Sequence, residues 1–252
     1  MPHPTYAPRE VIGTILNASG ILIGGTLGLA SSKSLSPGAE NRVRIILAAA
    51  TVLFGLRLTW SSLSGSLGQI LKQCVVLILA LMLGKFTGRI LGLQKLSNRI
   101  GRRAHDDILA AQGPQSHTMS EGFGPCAALF CAAPLGLLGA VQDGLSLSGY
   151  VYPLGIKGVV DGLAAMGLGR AIGWGVLVSA LPVFAFQGTI TLVCTHWLQP
   201  FLAARGLLDS VNAVGGILVF SVALVMLGLK RIELTDYLPS LLIAPLLTHI
   251  FI

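Results

Sequence analysis

Apolar residues run in long blocks along this chain, and polar residues collect in the gaps between them. A membrane-spanning helix takes about 20 mostly apolar residues. Blocks of this kind lie at about 12–30, 43–60, 70–91, 122–142, 150–170, 172–198, 211–229 and 237–252. The pattern predicts an all-α polytopic membrane protein of eight spans, or seven if 150–170 is re-entrant. The longest polar stretch, 92–121, carries Lys95, Arg99, Arg102, Arg103, His105, Asp106 and Asp107. It reads as a basic loop ending in a flexible connection, AAQGPQSHTMSEG. Residues 1–252 then form a single membrane domain.

Composition agrees with that solvent. The chain is 53% hydrophobic and 11% charged, against about 25% charged in soluble domains, and its mean hydropathy is +0.79. The net charge of +7 gathers at the ends of the apolar blocks, where it orients spans. No basic stripe with interleaved aromatics is present, so nucleic-acid binding is not expected. With 92–121 placed in the cytoplasm, Lys33, Arg42, Arg170, Lys230 and Arg231 fall on the same side. The opposite side receives 61–69 and 143–154, which have no Lys or Arg, and 199–210, which has only Arg205. Both termini are then outside, and 1–10, which lacks signal-peptide features, is an outer tail.

The chain repeats itself. GGTLG at 24–28 resembles QGTIT at 187–191, and 41–58 resembles 209–232. Span one matches span six, two matches seven and three matches eight, in opposite orientations. Two three-helix repeats, 11–91 and 172–252, flank a central pair at 122–171, in which GAVQDGL at 139–145 resembles KGVVDGL at 157–163. Inverted repeats are a signature of secondary transporters.

Few residues carry chemistry. Lys157 and Asp161 are four apart within an apolar block and share a helix face. An aspartate there costs about 2.5–3.5 kcal/mol on insertion scales, and the lysine offsets part of it. Two readings stay open: a structural ion pair, or a site for a coupling cation, a proton or an anionic solute. Asp143 with Gln142 is either a turn or part of that site. Asn17 lies mid-span, among Gly13, Gly20, Gly24 and Gly28 at helical spacing. Such a seam lets helices approach closely, and Asn17 either bonds across it or lines a cavity. Gly84 and Gly88 form a second seam. Pro182 is positioned to break span six, with Gln187 and Thr189 beyond it. The four cysteines lie in apolar blocks without CxxC spacing, and no His, Cys or Glu set has metal or hydrolase geometry. No metal, cofactor or enzymatic activity is expected.

Taken together, IGT-x-x-N at 12–17, GG-x-x-G at 24–28, QDG at 142–144, K-x-x-x-DG at 157–162, SALPV with QG at 179–188, and NAVGG at 212–216 resemble one family. It is the domain of unknown function 554 family of bacterial inner-membrane proteins, and the resemblance runs over about 11–250. It implies a multi-pass inner-membrane protein and assigns no activity. The chain departs after span three, where Arg89, Gln94 and Asn98 stand at positions expected to be acidic in relatives. The expected function is a secondary transporter or permease for a small solute or ion, held in the lipid bilayer. Asp161, Lys157, Asn17, Asp143, Gln142, Gln187 and Thr189 would line its polar cavity. The alternative is a non-transporting, partner-binding membrane subunit, its glycine seams serving packing or homo-oligomerisation.

Overall fold

The computed structural model of the protein describes residues 11–31, 35–111, 119–145 and 151–251. Residues 1–10, expected to form an outer tail, and Lys33 lie outside the described residues. Every regular element described is helical. In chain order they are α1 (Ile12–Ala30), α2 (Pro37–Ser61), α3 (Leu67–Leu91), α4 (Leu93–Ala111), α5 (Met119–Ala132), α6 (Pro134–Leu145) and α7 (Tyr152–Ile172). Then come α8 (Gly175–Val178), α9 (Ala180–Val193), α10 (Gln199–Ala203), α11 (Leu208–Met226), α12 (Leu234–Tyr237) and α13 (Ser240–Phe251). A single π-turn at Cys194–Leu198 joins α9 to α10.

Local chemistry sets the boundaries. Ser36 accepts a bond from the Ala39 amide at 3.2 Å, and Pro37 opens α2 where a missing N–H costs nothing. Ser66 and Gln69 form a capping box at the start of α3. Gly92, with φ +64°, ends α3 in the left-handed region and turns the chain straight into α4.

The distribution of side chains is inverted relative to a soluble protein. Ile46, Leu53, Met82, Phe86 and Leu181 are exposed, while Lys157 is the largest fully buried side chain among the described residues. Large apolar groups face outward because lipid, not water, is the solvent there. Among the described residues, six helical stretches are long and apolar enough to cross a membrane: Ile12–Ala30, Pro37–Ser61, Leu67–Leu91, Gly175–Ala203, Leu208–Met226 and Leu234–Phe251. A bent pair, Gly122–Ala132 with Pro134–Leu145, makes up to seven.

Three expectations need correction. The count is six to seven by length and composition, not eight. The difference is α7, whose 21 residues are long enough but include Lys157, Asp161 and Arg170. The fourth block is not one helix, because it bends by 61° at Ala133. Pro134 has no N–H to give the preceding turn and disfavours a helical conformation at Ala133. The polar stretch 92–121 is not wholly loop, since 93–111 is the 19-residue α4, with Ala104 and Ile108 buried. Leu96, Ile100, Ala104 and Ile108 recur every four residues among the charges; Ala104 and Ile108 are buried where α4 packs on α5, while Leu96 and Ile100 stay exposed. Pro182 has a smaller effect than Pro134. It lies in the first turn of α9, and within Gly175–Ala203 the α-helix is interrupted at Ser179 and by the π-turn Cys194–Leu198 without ending the span.

Helix directions follow from named contacts. Gly20, Gly24 and Gly28 of α1 meet Gly158, Gly162 and Met166 of α7 in ascending order, so these two helices run parallel. Thr191 and Thr195 bond the carbonyls of Ala140 and Gly144, so α9 with its π-turn runs parallel to α6. Gly25 faces Leu177 and Thr14 faces Gly188, so α1 and α8–α9 run antiparallel. Thr51 reaches Met226 and Thr59 reaches Ala213, so α2 and α11 run antiparallel. Gly84 meets Ser240 and Gly88 meets Asp236, so α3 and α12–α13 do the same.

Candidate functional site

Lys157 and Asp161 stand one turn apart on α7 and form an ion pair, with residue exposures of 1% and 6%. They are held there by helices that leave almost no space. On α6, a Cβ at Gly136 would lie 2.8 Å from Lys157 Cε and 3.0 Å from Gln187 Nε2. Gly136 is the third residue of α6, just past the break at Ala133. The lysine stem therefore passes beside the broken span, and a larger residue at Gly136 would have to displace it. Asn17 of α1 completes the group. Its Nδ2 donates to Gln187 Oε1 at 3.0 Å, and its side chain also reaches the Asp161 carboxylate. Three helices, α1, α7 and α9, thus bring a cation, an anion and two carboxamides to one place deep in an apolar protein, with α6 packed beside them.

These groups are not all satisfied. Buried polar atoms almost always find a hydrogen-bond partner. Here Asn17 Oδ1, Gln187 Nε2 and Thr14 Oγ1 are buried without one. Thr14 is three residues before Asn17, on the same face of α1, and Asn17, Gln187 and Thr14 are each fully buried. The arrangement offers both donors and acceptors beside a charged pair, in low dielectric, where each is worth more than in water.

The other expected residues are placed apart from this centre. Asp143, at 5% exposure, accepts from the Gly13 amide at 3.2 Å with Oδ2 and leaves Oδ1 unpartnered. It sits at the positive end of α1, where a carboxylate is favourable. Gln142 turns toward Gly215 of α11, with both side-chain polar atoms unpartnered. Thr189 is exposed and bonds back to the Ala185 carbonyl at 2.7 Å. Two residues from Gln187 is more than half a turn around a helix, so the pair cannot share a face. Thr191, four residues on, is the buried one, and the same spacing rule applied to Gln187 would have selected it. Thr14 was legible in the same way from Asn17.

Glycine seams fix the frame. Gly20, Gly24 and Gly28 press on backbone carbonyls of α7, and Gly158, Gly162 and Gly169 press back on those of Leu16, Gly20 and Gly25. Gly88 does the same against the Asp236 carbonyl, and Gly84 packs on the backbone nitrogen and Cβ of Ser240. At the corner between α3 and α4, the Gln94 amide donates to Asp236 Oδ1 at 2.8 Å, and Gln94 Oε1 accepts from the Thr235 amide at 3.1 Å. Ser97 of α4 donates to the Ala132 carbonyl at 3.2 Å, taking up a backbone group freed by the break.

A helical bundle with lipid-facing apolar sides and a charged pair beside a broken helix defines a polytopic α-helical membrane protein. The profile of a family described as a protein of unknown function, DUF554, matches residues 12–249, and the protein belongs to that family. It is 28% identical over 240 residues to the uncharacterized membrane protein YdfK of Bacillus subtilis, covering 95% of this chain and 96% of that one. It is 29% identical over 237 residues to the uncharacterized protein YqgA of Escherichia coli, covering 93% and 94%. No solved structure matches.

Proposed function

We propose that the protein is a secondary transporter or permease for a small solute or ion, with its site at the Lys157–Asp161 pair. One observation carries this reading. The pair, two carboxamides and unpartnered buried atoms of Thr14, Asn17 and Gln187 converge beside a helix broken at Ala133. Intramembrane ionisable residues mark ion and substrate pathways, and transporters place such sites at discontinuous helices.

The packing supports an inverted repeat. Exchanging the halves converts the parallel α1–α7 pair into the parallel pair of α9 with α6. The antiparallel pairs α1 with α9, α2 with α11 and α3 with α13 each map onto themselves. The Asn17–Gln187 bond joins matching helices across the pseudo-axis. Rocking one repeat against the other would open the site to each side in turn. Asp161 is the switching group: protonation releases Lys157 and lets the α7 face repack. The basic ends of the spans orient the protein in a bacterial inner membrane with both termini outside.

The test is ligand-dependent thermal stability of purified protein, across pH, common cations and small metabolites, with Asp161→Asn alongside. A ligand that stabilises the wild type and not the variant supports the site and becomes the substrate for flux assays in vesicles. Full flux of that ligand by folded Asp161→Asn sinks the role given to Asp161. No ligand-dependent shift under any condition favours a non-transporting subunit.

A further inference from the structure

A cavity of about 400 Å³ opens at the basic end of the bundle between α3, α11 and the link from α11 to α12. Its floor is apolar, formed by Leu81, Ile217 and Leu218, and its rim carries Lys85, Lys230 and Arg231. The rim charge is not neutralised from within. The one carboxylate among the described residues that line it, Glu233, pairs with Arg89 at 3.6 Å. Lys85 is also directed: its Nζ stands 5.2 Å over the Tyr237 ring, which holds the ammonium at the rim. Leu81 lies one turn before Lys85 on the same face of α3, so apolar floor and cationic rim are stacked along a single helix.

We propose that this cavity binds the phosphate headgroup of an anionic phospholipid. The cations take the phosphate, and the glycerol and acyl end lies on Leu81, Ile217 and Leu218. The apolar floor favours an amphiphile over a free phosphate ion, for which it would give only desolvation. Basic pockets between membrane helices suit anionic headgroups. A lipid here clamps α3 to α11, helices from different halves of the chain, and its binding is independent of any transport at Asp161.

The test uses delipidated full-length protein in detergent, with melting temperature read against added phosphatidylglycerol, phosphatidylcholine or inorganic phosphate. Phosphatidylglycerol should raise the melting temperature and phosphatidylcholine should not. Lys85→Gln/Arg231→Gln should lose at least half of the rise, while Arg102→Gln/Arg103→Gln on α4, with the same charge removed, should keep it. Arg231→Gln alone, on an exposed link, serves if the double variant does not fold. An equal rise with phosphatidylcholine, or an equal loss in the α4 variant, overturns the proposal. A full rise with inorganic phosphate alone reassigns the cavity to a free anion and also overturns it.

Discussion

Gly24 of α1 and Gly162 of α7 meet backbone to backbone. A Cβ on Gly24 would collide with the Gly162 carbonyl, and a carbonyl fixed in a helix cannot swing aside as a side chain can. The contact recurs one turn either way, at Gly20 with Gly158 and Gly28 with Met166. Gly24→Ala should therefore destabilise the protein by about 1–3 kcal/mol through overpacking. Gly101, in α4, has nothing within 4 Å of a built Cβ. There Gly101→Ala should stabilise by about 0.5–1 kcal/mol, since only the unfolded-chain entropy changes. Denaturation in mixed detergent measures both, and equal effects would contradict the close approach.

The charged pair makes a non-additive prediction. Lys157→Met or Asp161→Leu alone strands a buried charge and should cost about 3–5 kcal/mol each. The double variant strands none and should cost less than either single change. A double-mutant cycle decides it, because additive losses would mean that the two charges do not hold each other.

Asp143 should behave differently from Asp161. Its bond to the Gly13 amide caps α1, so Asp143→Ala should lose about 1–2 kcal/mol. Asp143→Asn keeps an acceptor and should lose only about 0.3–1 kcal/mol, the charge at the helix end. A ligand that stabilises the wild type should still stabilise Asp143→Asn. Abolition of that shift would place Asp143 in the ligand site.

Sidedness is testable with a membrane-impermeant thiol reagent on intact cells, in a background with Cys74, Cys126, Cys131 and Cys194 replaced. Cysteines at Ser64 and Gly206 should label, and those at Gly101 and Leu229 should not. The reverse pattern would invert the orientation read from the basic loops. Labelling of Ser64 and Gly206 on opposite sides would break the antiparallel pairing of α2 with α11.

The family was legible in the sequence because its signature is local: Gly, Asn, Gln and Lys–Asp spacings along single helices. The apolar blocks likewise announced a bundle in lipid, since a run of 20 apolar residues has no other stable solvent. Lys157 with Asp161 was legible too, for four residues make one helical turn. Other features needed the fold. The bend at Ala133 follows from Pro134, but its value emerges only when Gly136 admits Lys157 and Gln187 beside it. Thr189 lies on the outer face of α9, because the face that turns inward is set by α1 and α6, not by its own composition. The bond from Asn17 to Gln187 links residues 170 apart. Such a contact is decided by which helices the glycine seams bring together, and no periodicity along one segment encodes it.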